Sequence, residues 1–361
     1  MLSRRDENEY ENEDLIEKRK FMRKLYDVVV LRSLAIIMVV AFHAYGMMYW
    51  GHFPNMTEKY KDLYYNFNQY VVNFRMPLFI FISGYLFSFL EREKCKYPTL
   101  LALFKNKFKR LIIPYLFFAT IYMLTTGMGF QLNSLFSGSC AHLWFITMLF
   151  WCFMCARLFR LLPWNNNFYY QIVILLISFT LLFIDIPEFS FMGIQSLPKW
   201  FFWFYLGYLV SPHRNQLFDF LSKRKIWLMI FALVYLSELI YTIKFIESAD
   251  ERGWFMRFAH LAIVLLIWYV TNWAINNSSR PWYENAIFKE LNRTSYGIYV
   301  LHYWLQPMLI SSTAKRLFHI ETLAANHVIL FPLLFFLTSL ACSYIGTKVL
   351  LKTRVGRFLI G

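Results

Sequence analysis

Two ionisable residues stand inside an apolar run that should exclude them, Arg32 and His43 in RSLAIIMVVAFH. Their separation of eleven positions is three helical turns plus about 20°, so both side chains leave one face, about 16 Å apart along the axis. Imidazole, with an ordinary pKa near 6.5, can take a proton from a hydroxyl at neutral pH. A guanidinium suits phosphates and carboxylates. From position alone, Arg32 can equally be a snorkelling arginine and His43 an interhelical hydrogen-bond partner. A second polar stripe, Ser295, Tyr299, His302 and Gln306, follows i, i+4, i+7 and i+11 and falls within about 60° of one face. Such a stripe faces a wet cavity or a hydrogen-bonded packing seam, not lipid. Glu238, with Tyr235 and Thr242 on its face, reads either as an acceptor for a sugar hydroxyl or as the partner of an arginine such as Arg75. In RMPLFIFISGYLF, Pro77 and the Ser83-Gly84 pair interrupt an aromatic helix, and Gly84 admits a ligand or another backbone. Lys105, Lys107, Lys109 and Arg110 precede IIPY. This basic cluster sets orientation, touches anionic lipid or binds an anion.

The elements that must carry these residues follow from composition. Of 361 residues, 58% are hydrophobic, 21% aromatic and 16% charged, against roughly 25% charged in an ordinary soluble domain. A soluble globule of this size would expose large apolar patches, which argues against a soluble enzyme. The apolar residues fall in blocks near 28–49, 71–90, 111–130, 142–162, 169–184, 198–212, 226–244, 254–274, 294–312 and 327–347, close to the ~20 residues of a bilayer-crossing helix. The expected fold is therefore all-α, a polytopic membrane protein with about ten transmembrane helices. A polar tail at 1–27, a helical domain at 28–350 and a short tail at 351–361 make up the chain.

The formal net charge is +15. With both termini cytoplasmic, the inside holds 27 basic residues and the outside 8, so the excess is topogenic and does not call for nucleic acid. Residues 1–27 have no apolar core and form no signal peptide. The acidic run from Asp6 to Glu17 reads as a solvated tail, and the adjacent Arg4 and Arg5 lack the apolar region of a twin-arginine signal. Five cysteines form no framework. Cys152 and Cys155 make a CxxC inside an apolar block, where packing is the simpler role, and no zinc spacing is present, so no metal is expected. No repeat or symmetry between halves is visible, which weakens a transporter built from inverted repeats. A transporter or flippase of a glycan or lipid intermediate nonetheless remains the alternative to an enzyme.

Taken together these residues resemble the acyltransferase 3 family of membrane proteins. Arg32-x10-His43 fits that family's Arg/Lys-x10-His motif, and PLFIFISGYL at 77–86, KRLIIPY at 109–115, HLWFI at 142–146 and YGIYVLH at 296–302 follow in family order. MPLFIFISGYLF and HLWFI are similar to the subgroup related to bacterial fucose acetylases. The resemblance implies transfer of an acyl group, usually acetyl, from cytoplasmic acyl-CoA to a hydroxyl of a cell-envelope glycan or glycolipid. It implies a bacterial cytoplasmic (inner) membrane location, His43 as the catalytic histidine and Arg32 as its paired basic residue. A CoA donor is polyanionic and wants Arg and Lys at the cytoplasmic mouth, which makes Arg32, Lys105, Lys107, Lys109 and Arg110 the donor-binding candidates. Ser83, Glu238, Ser295, Tyr299, His302 and Gln306 are the candidates for the cavity and acceptor side. Acetyl-CoA enters as co-substrate, and no resident cofactor is expected.

Overall fold

The computed structural model describes residues 26–361 except 54, 71–73, 128, 165–166, 185–189, 246–251, 312–314 and 318. The acidic and basic tail before residue 26 lies outside the described residues. Among those described the chain is all helix and turn, with no strand. In chain order the helices are α1 (Tyr26–Gly46), α2 (Glu58–Tyr70), α3 (Arg75–Arg92), α4 (Leu100–Lys107), α5 (Ile113–Thr125), α6 (Leu132–Ser137), α7 (Trp144–Leu161), α8 (Phe168–Leu181) and α9 (Leu197–Val210). Then follow α10 (Arg214–Lys223), α11 (Ile226–Phe245), α12 (Arg252–Asn277), α13 (Ala286–Leu301), α14 (Leu305–Ile310), α15 (Ile320–Asn326), α16 (Leu330–Lys352) and α17 (Arg354–Ile360).

Five segments are long and apolar enough to cross a bilayer: Tyr26–Gly46, Leu100–Thr125, Leu132–Leu161, Phe255–Asn277 and Leu330–Lys352. Phe168–Leu181 and Ile226–Tyr241 are shorter apolar helices. The short α9 is buried along most of its length, from Phe201 to Val210. It lies against α3 at a crossing that two glycines make possible. A Cβ on Gly84 would stand 1.9 Å from the Phe204 carbonyl oxygen, and one on Gly207 the same distance from that of Phe81. Gly84 thus serves the approach of a backbone, not of a ligand, as in helix packing through small residues.

Two segments depart from the expected boundaries in ways that matter for the site. The third apolar block does not begin after the basic cluster. The Thr99 hydroxyl caps α4 by accepting from the Ala102 amide (3.1 Å), and the helix runs on through a π turn at Phe108–Ile112 into α5. Lys105 to Arg110 therefore sit on a helix and divide between two faces. The C-terminal residues also fold back: the Thr353 hydroxyl caps α17 at the Gly356 amide (2.9 Å), and Leu359 and Ile360 pack into the core. At the other end α1 already includes Asp27, which is fully buried beside Arg214 (3.4 Å).

Candidate active site

A cavity of about 350 Å³ opens between α1, α3, α4, α7 and α13. Its lining includes five cationic side chains, Arg32, Lys96, Lys107, Arg110 and Arg293, and no acidic one. Arg293 is bonded to Glu290 (2.9 Å). Among the described residues the other four lie within 4 Å of no carboxylate, and Lys96, Arg110 and Arg32 all repel the ammonium of Lys107. Aromatic rings steady them instead: Lys107 sits 3.4 Å from the Phe153 ring centroid, and Arg32 is 6.0 Å from that of Phe79. Uncompensated cations around a concave space are a ready anion site.

Away from the cations the wall is apolar, with Phe79 and Phe145 in edge contact at 5.5 Å. Beyond Phe145 lies Tyr299 (5.3 Å between centroids), and beyond Tyr299 are the rings of His142 (5.7 Å) and His302 (5.9 Å). One aromatic layer thus separates the cationic cavity from a cluster of histidines. His302 lies 5.1 Å from both His43 and His142, and Tyr303 closes the group at 4.8 Å from His43 and 5.1 Å from His142.

Backbone carbonyls fix which nitrogen of each neutral ring carries its proton. His302 donates from Nδ1 to the Tyr299 carbonyl (2.7 Å), so the lone pair is on Nε2, which is buried without a hydrogen-bond partner. His142 donates from Nε2 to the Val300 carbonyl (2.9 Å), leaving Nδ1 in the same condition. The Tyr299 hydroxyl donates to the His142 carbonyl and the Ser339 hydroxyl to that of His302 (2.8 Å). His43 is half-buried, with Nδ1 buried and unbonded. Its end of α1 is held by Asn68, whose amide donates to the Phe42 carbonyl (2.8 Å) and to the Tyr49 hydroxyl (3.1 Å), and by the buried Arg75, stacked on the Phe42 ring at 3.2 Å.

The sequence candidates fall into three groups. Arg32, Lys107, Arg110, Ser83 and Ser295 line the cavity, the two serines bonding their own helices at Phe79 and Asn292 (both 2.9 Å). Tyr299, His302 and His43 form the layer and the cluster above it. The α13 stripe therefore does not line one cavity; it runs from Ser295 in the cavity through Tyr299 to His302. It also crosses a break, since α13 ends at Leu301 and α14 begins at Leu305. Gln306, past that break, is 1% exposed with both side-chain polar atoms unbonded. Lys105 and Lys109 stand apart: both are exposed, neither lines the cavity, and Lys109 lies over the Phe358 ring (4.9 Å). Glu238 is buried on α11 and is also absent from the lining.

His142 is the residue that sequence reasoning missed as a site member, although it opens the quoted HLWFI. It follows Ala141, whose φ of 44° is a left-handed conformation that L side chains rarely adopt. The turn is braced by Thr147, which donates to the Gly138 carbonyl (3.0 Å). Cys152, fully buried with its sulfur 3.4 Å from that of Met148, serves packing. Among the described residues no group of His, Cys, Asp and Glu is arranged to hold a metal.

The family model of an acyltransferase domain, the acyltransferase 3 type, matches residues 25–348. The chain belongs to the acyltransferase 3 family. Comparison with curated proteins and with solved structures finds no match. The match takes in both compartments of this acyltransferase, from Arg32 and His43 on α1 through His142 to His302 beyond α13. It ends within α16, before α17 folds back beside the cavity.

Proposed function

We propose that this membrane acyltransferase moves an acetyl group from cytoplasmic acetyl-CoA to a hydroxyl of a cell-envelope glycan or glycolipid. The observation that carries the reading is the pairing of compartments: unpaired cations at one end, one aromatic layer away from unbonded imidazole nitrogens. The phosphates of CoA suit Arg32, Lys96, Lys107 and Arg110. The pantetheine arm extends along the wall of Phe79 and Phe145 toward His43, about 16 Å from Arg32 along α1. His43 takes the proton of the acceptor hydroxyl while that oxygen bonds to the thioester carbonyl carbon. The carbon–sulfur bond then breaks, and the departing thiolate takes the proton from the imidazolium, giving ester and free CoA. His302 and His142, locked by backbone carbonyls, present further lone pairs to polar groups of the reactants. Gln306 and the histidine cluster above the layer belong to the acceptor side of this reading, and Ser83 and Ser295 to the donor side. Lys105 and Lys109 are left to anionic lipid at the membrane surface.

The same reading puts the chain in a bacterial inner membrane with ten crossings and both termini inside, supported by the 27 to 8 distribution of basic residues. Acetyl-CoA-dependent release of CoA by purified protein with an envelope glycan acceptor tests the function. Removing a general base costs about 10²- to 10⁴-fold, so His43→Ala should lose at least about 100-fold in turnover while still binding acetyl-CoA. A folded variant that binds donor and keeps most of its rate would move the base to His302.

A further inference from the structure

His43 has one neighbour that neither the donor cavity nor the histidine cluster explains. After α1 ends at Gly46 the chain turns, and the Trp50 indole folds back over that glycine so closely that a Cβ there would stand 2.4 Å from a ring carbon. The indole lies 5.9 Å from the His43 ring and 5.8 Å from those of Phe42 and Tyr49. His302 and Tyr303 also pack against the imidazole, at 5.1 and 4.8 Å. Trp50 is 36% exposed. It also lies beyond His43 along the chain from Arg32, on the side of the histidine away from the cationic cavity.

A tryptophan that only anchors the bundle in the membrane interface would turn its ring outward to lipid and headgroups. This one folds back over its own helix beside the His43 imidazole, with about a third of its surface still exposed. A sugar ring has an apolar face, its C–H surface, with hydroxyls around the rim, and burying that surface on an indole leaves the hydroxyls free for polar partners.

We propose that Trp50 is the acceptor platform: a glycosyl ring stacks on its indole and thereby presents a hydroxyl to His43. The proposal rests on the acyl-transfer reading and adds what selects the acceptor. Gly46 belongs to the same device, because only a residue without Cβ lets the indole lie flat.

The test uses the full-length protein in detergent or in phosphatidylethanolamine–phosphatidylglycerol vesicles, with acetyl-CoA and two acceptor arms. One arm is a panel of soluble methyl glycosides; the other is the same sugars on a lipid anchor. Trp50→Ala should raise the acceptor KM at least about tenfold in both arms while the acetyl-CoA KM stays within about twofold. Trp50→Phe should restore most of the affinity. Gly46→Ala, which keeps the indole but displaces it, should fall between, and it serves with Trp50→Phe if Trp50→Ala does not fold. An acceptor KM unchanged by Trp50→Ala or Gly46→Ala overturns the platform. A rise confined to the lipid-anchored arm overturns it too, by assigning Trp50 to the lipid. If the wild-type protein releases no CoA with any sugar in either arm, acyl transfer to sugars falls first and the platform with it.

Discussion

The cations of the cavity and the arginines of α7 are chemically alike, close together and treated oppositely. Arg157 stands one helical turn past the cavity-lining Phe153, and Glu91 directly follows the cavity-lining Leu90. The Glu91 carboxylate, buried at 4% exposure, accepts from Arg157 and from the Tyr208 hydroxyl (3.0 Å) and forms an ion pair with Arg160 (2.7 Å). Arg157 also donates to the Pro98 carbonyl (3.1 Å). Arg32, Lys96, Lys107 and Arg110 have no such carboxylate among the described residues. The same residue types thus stand in two settings: where an internal anion meets them they tie α3, α7 and α9 together, and around the cavity they suit the donor phosphates of the proposed reaction. The first setting supports the second, because Pro98 adjoins Tyr97 and Lys96 in the loop that walls the cavity.

The largest effect should come from breaking the compensated cluster. Glu91→Gln strands two arginines in a buried site, and removing one partner of a buried ion pair typically costs about 3–5 kcal/mol. Thermal melting of the detergent-solubilised protein should show a large drop or a loss of folded yield. Lys107→Met, which relieves crowding among like charges, should melt no lower than wild type. Equal losses in the two variants would erase the distinction between the regions.

The cavity cations should instead show in donor kinetics. Arg32→Ala and Lys107→Ala should each raise the acetyl-CoA KM by about tenfold, with the acceptor KM nearly unchanged and melting retained. Lys105→Ala and Lys109→Ala, which do not line the cavity, should leave it within about twofold, so the three lysine variants sort by helix face and not by sequence proximity. An Arg32→Ala protein with lower yield but intact kinetics per molecule would make Arg32 structural.

That sorting marks how far the sequence carries. The Arg32–His43 spacing was legible because a helix repeats every 3.6 residues, as was the stripe from Ser295 to Tyr299 on α13, whereas no periodicity announces the break after Leu301 that puts Gln306 on another helix. The basic cluster at 105–110 falls outside the third apolar block of the sequence because four charges in six residues interrupt the apolar run, whereas the Thr99 cap and the π turn carry it into a helix that faces two ways. His142 has no periodic partner on its own segment. Its place depends on the left-handed Ala141 and on Gly138 set against Gly193, where a Cβ would stand 2.3 Å from the amide nitrogen. Those are contacts between distant segments. Gly84 announced a close approach but not of what, since only the fold supplies the Phe204 carbonyl.

A third arrangement, compensated but exposed, should give the smallest effect and so calibrate the other two. Glu290, at the start of α13, accepts from Lys348 of α16 and from Arg293 (both 2.9 Å) with its side chain 33% exposed. The hydrogen bond from Lys348, aided by Arg293, holds its carboxyl below the usual glutamate range. A carboxyl depressed in the folded state contributes stability that is complete above its unfolded pKa, about 4.3, and is lost as pH falls through the lower folded value. Exposed pairs of this kind contribute roughly 0.2–1 kcal/mol and are screened by salt. Glu290→Gln should therefore lower the melting temperature slightly at pH 7, and the difference should shrink in high salt and vanish once the wild-type carboxyl is protonated. A deficit that persisted in acid would come from packing between α13 and α16, where Gly297 meets Thr347, and a deficit as large as that of Glu91→Gln would mean that burial is not what separates the regions.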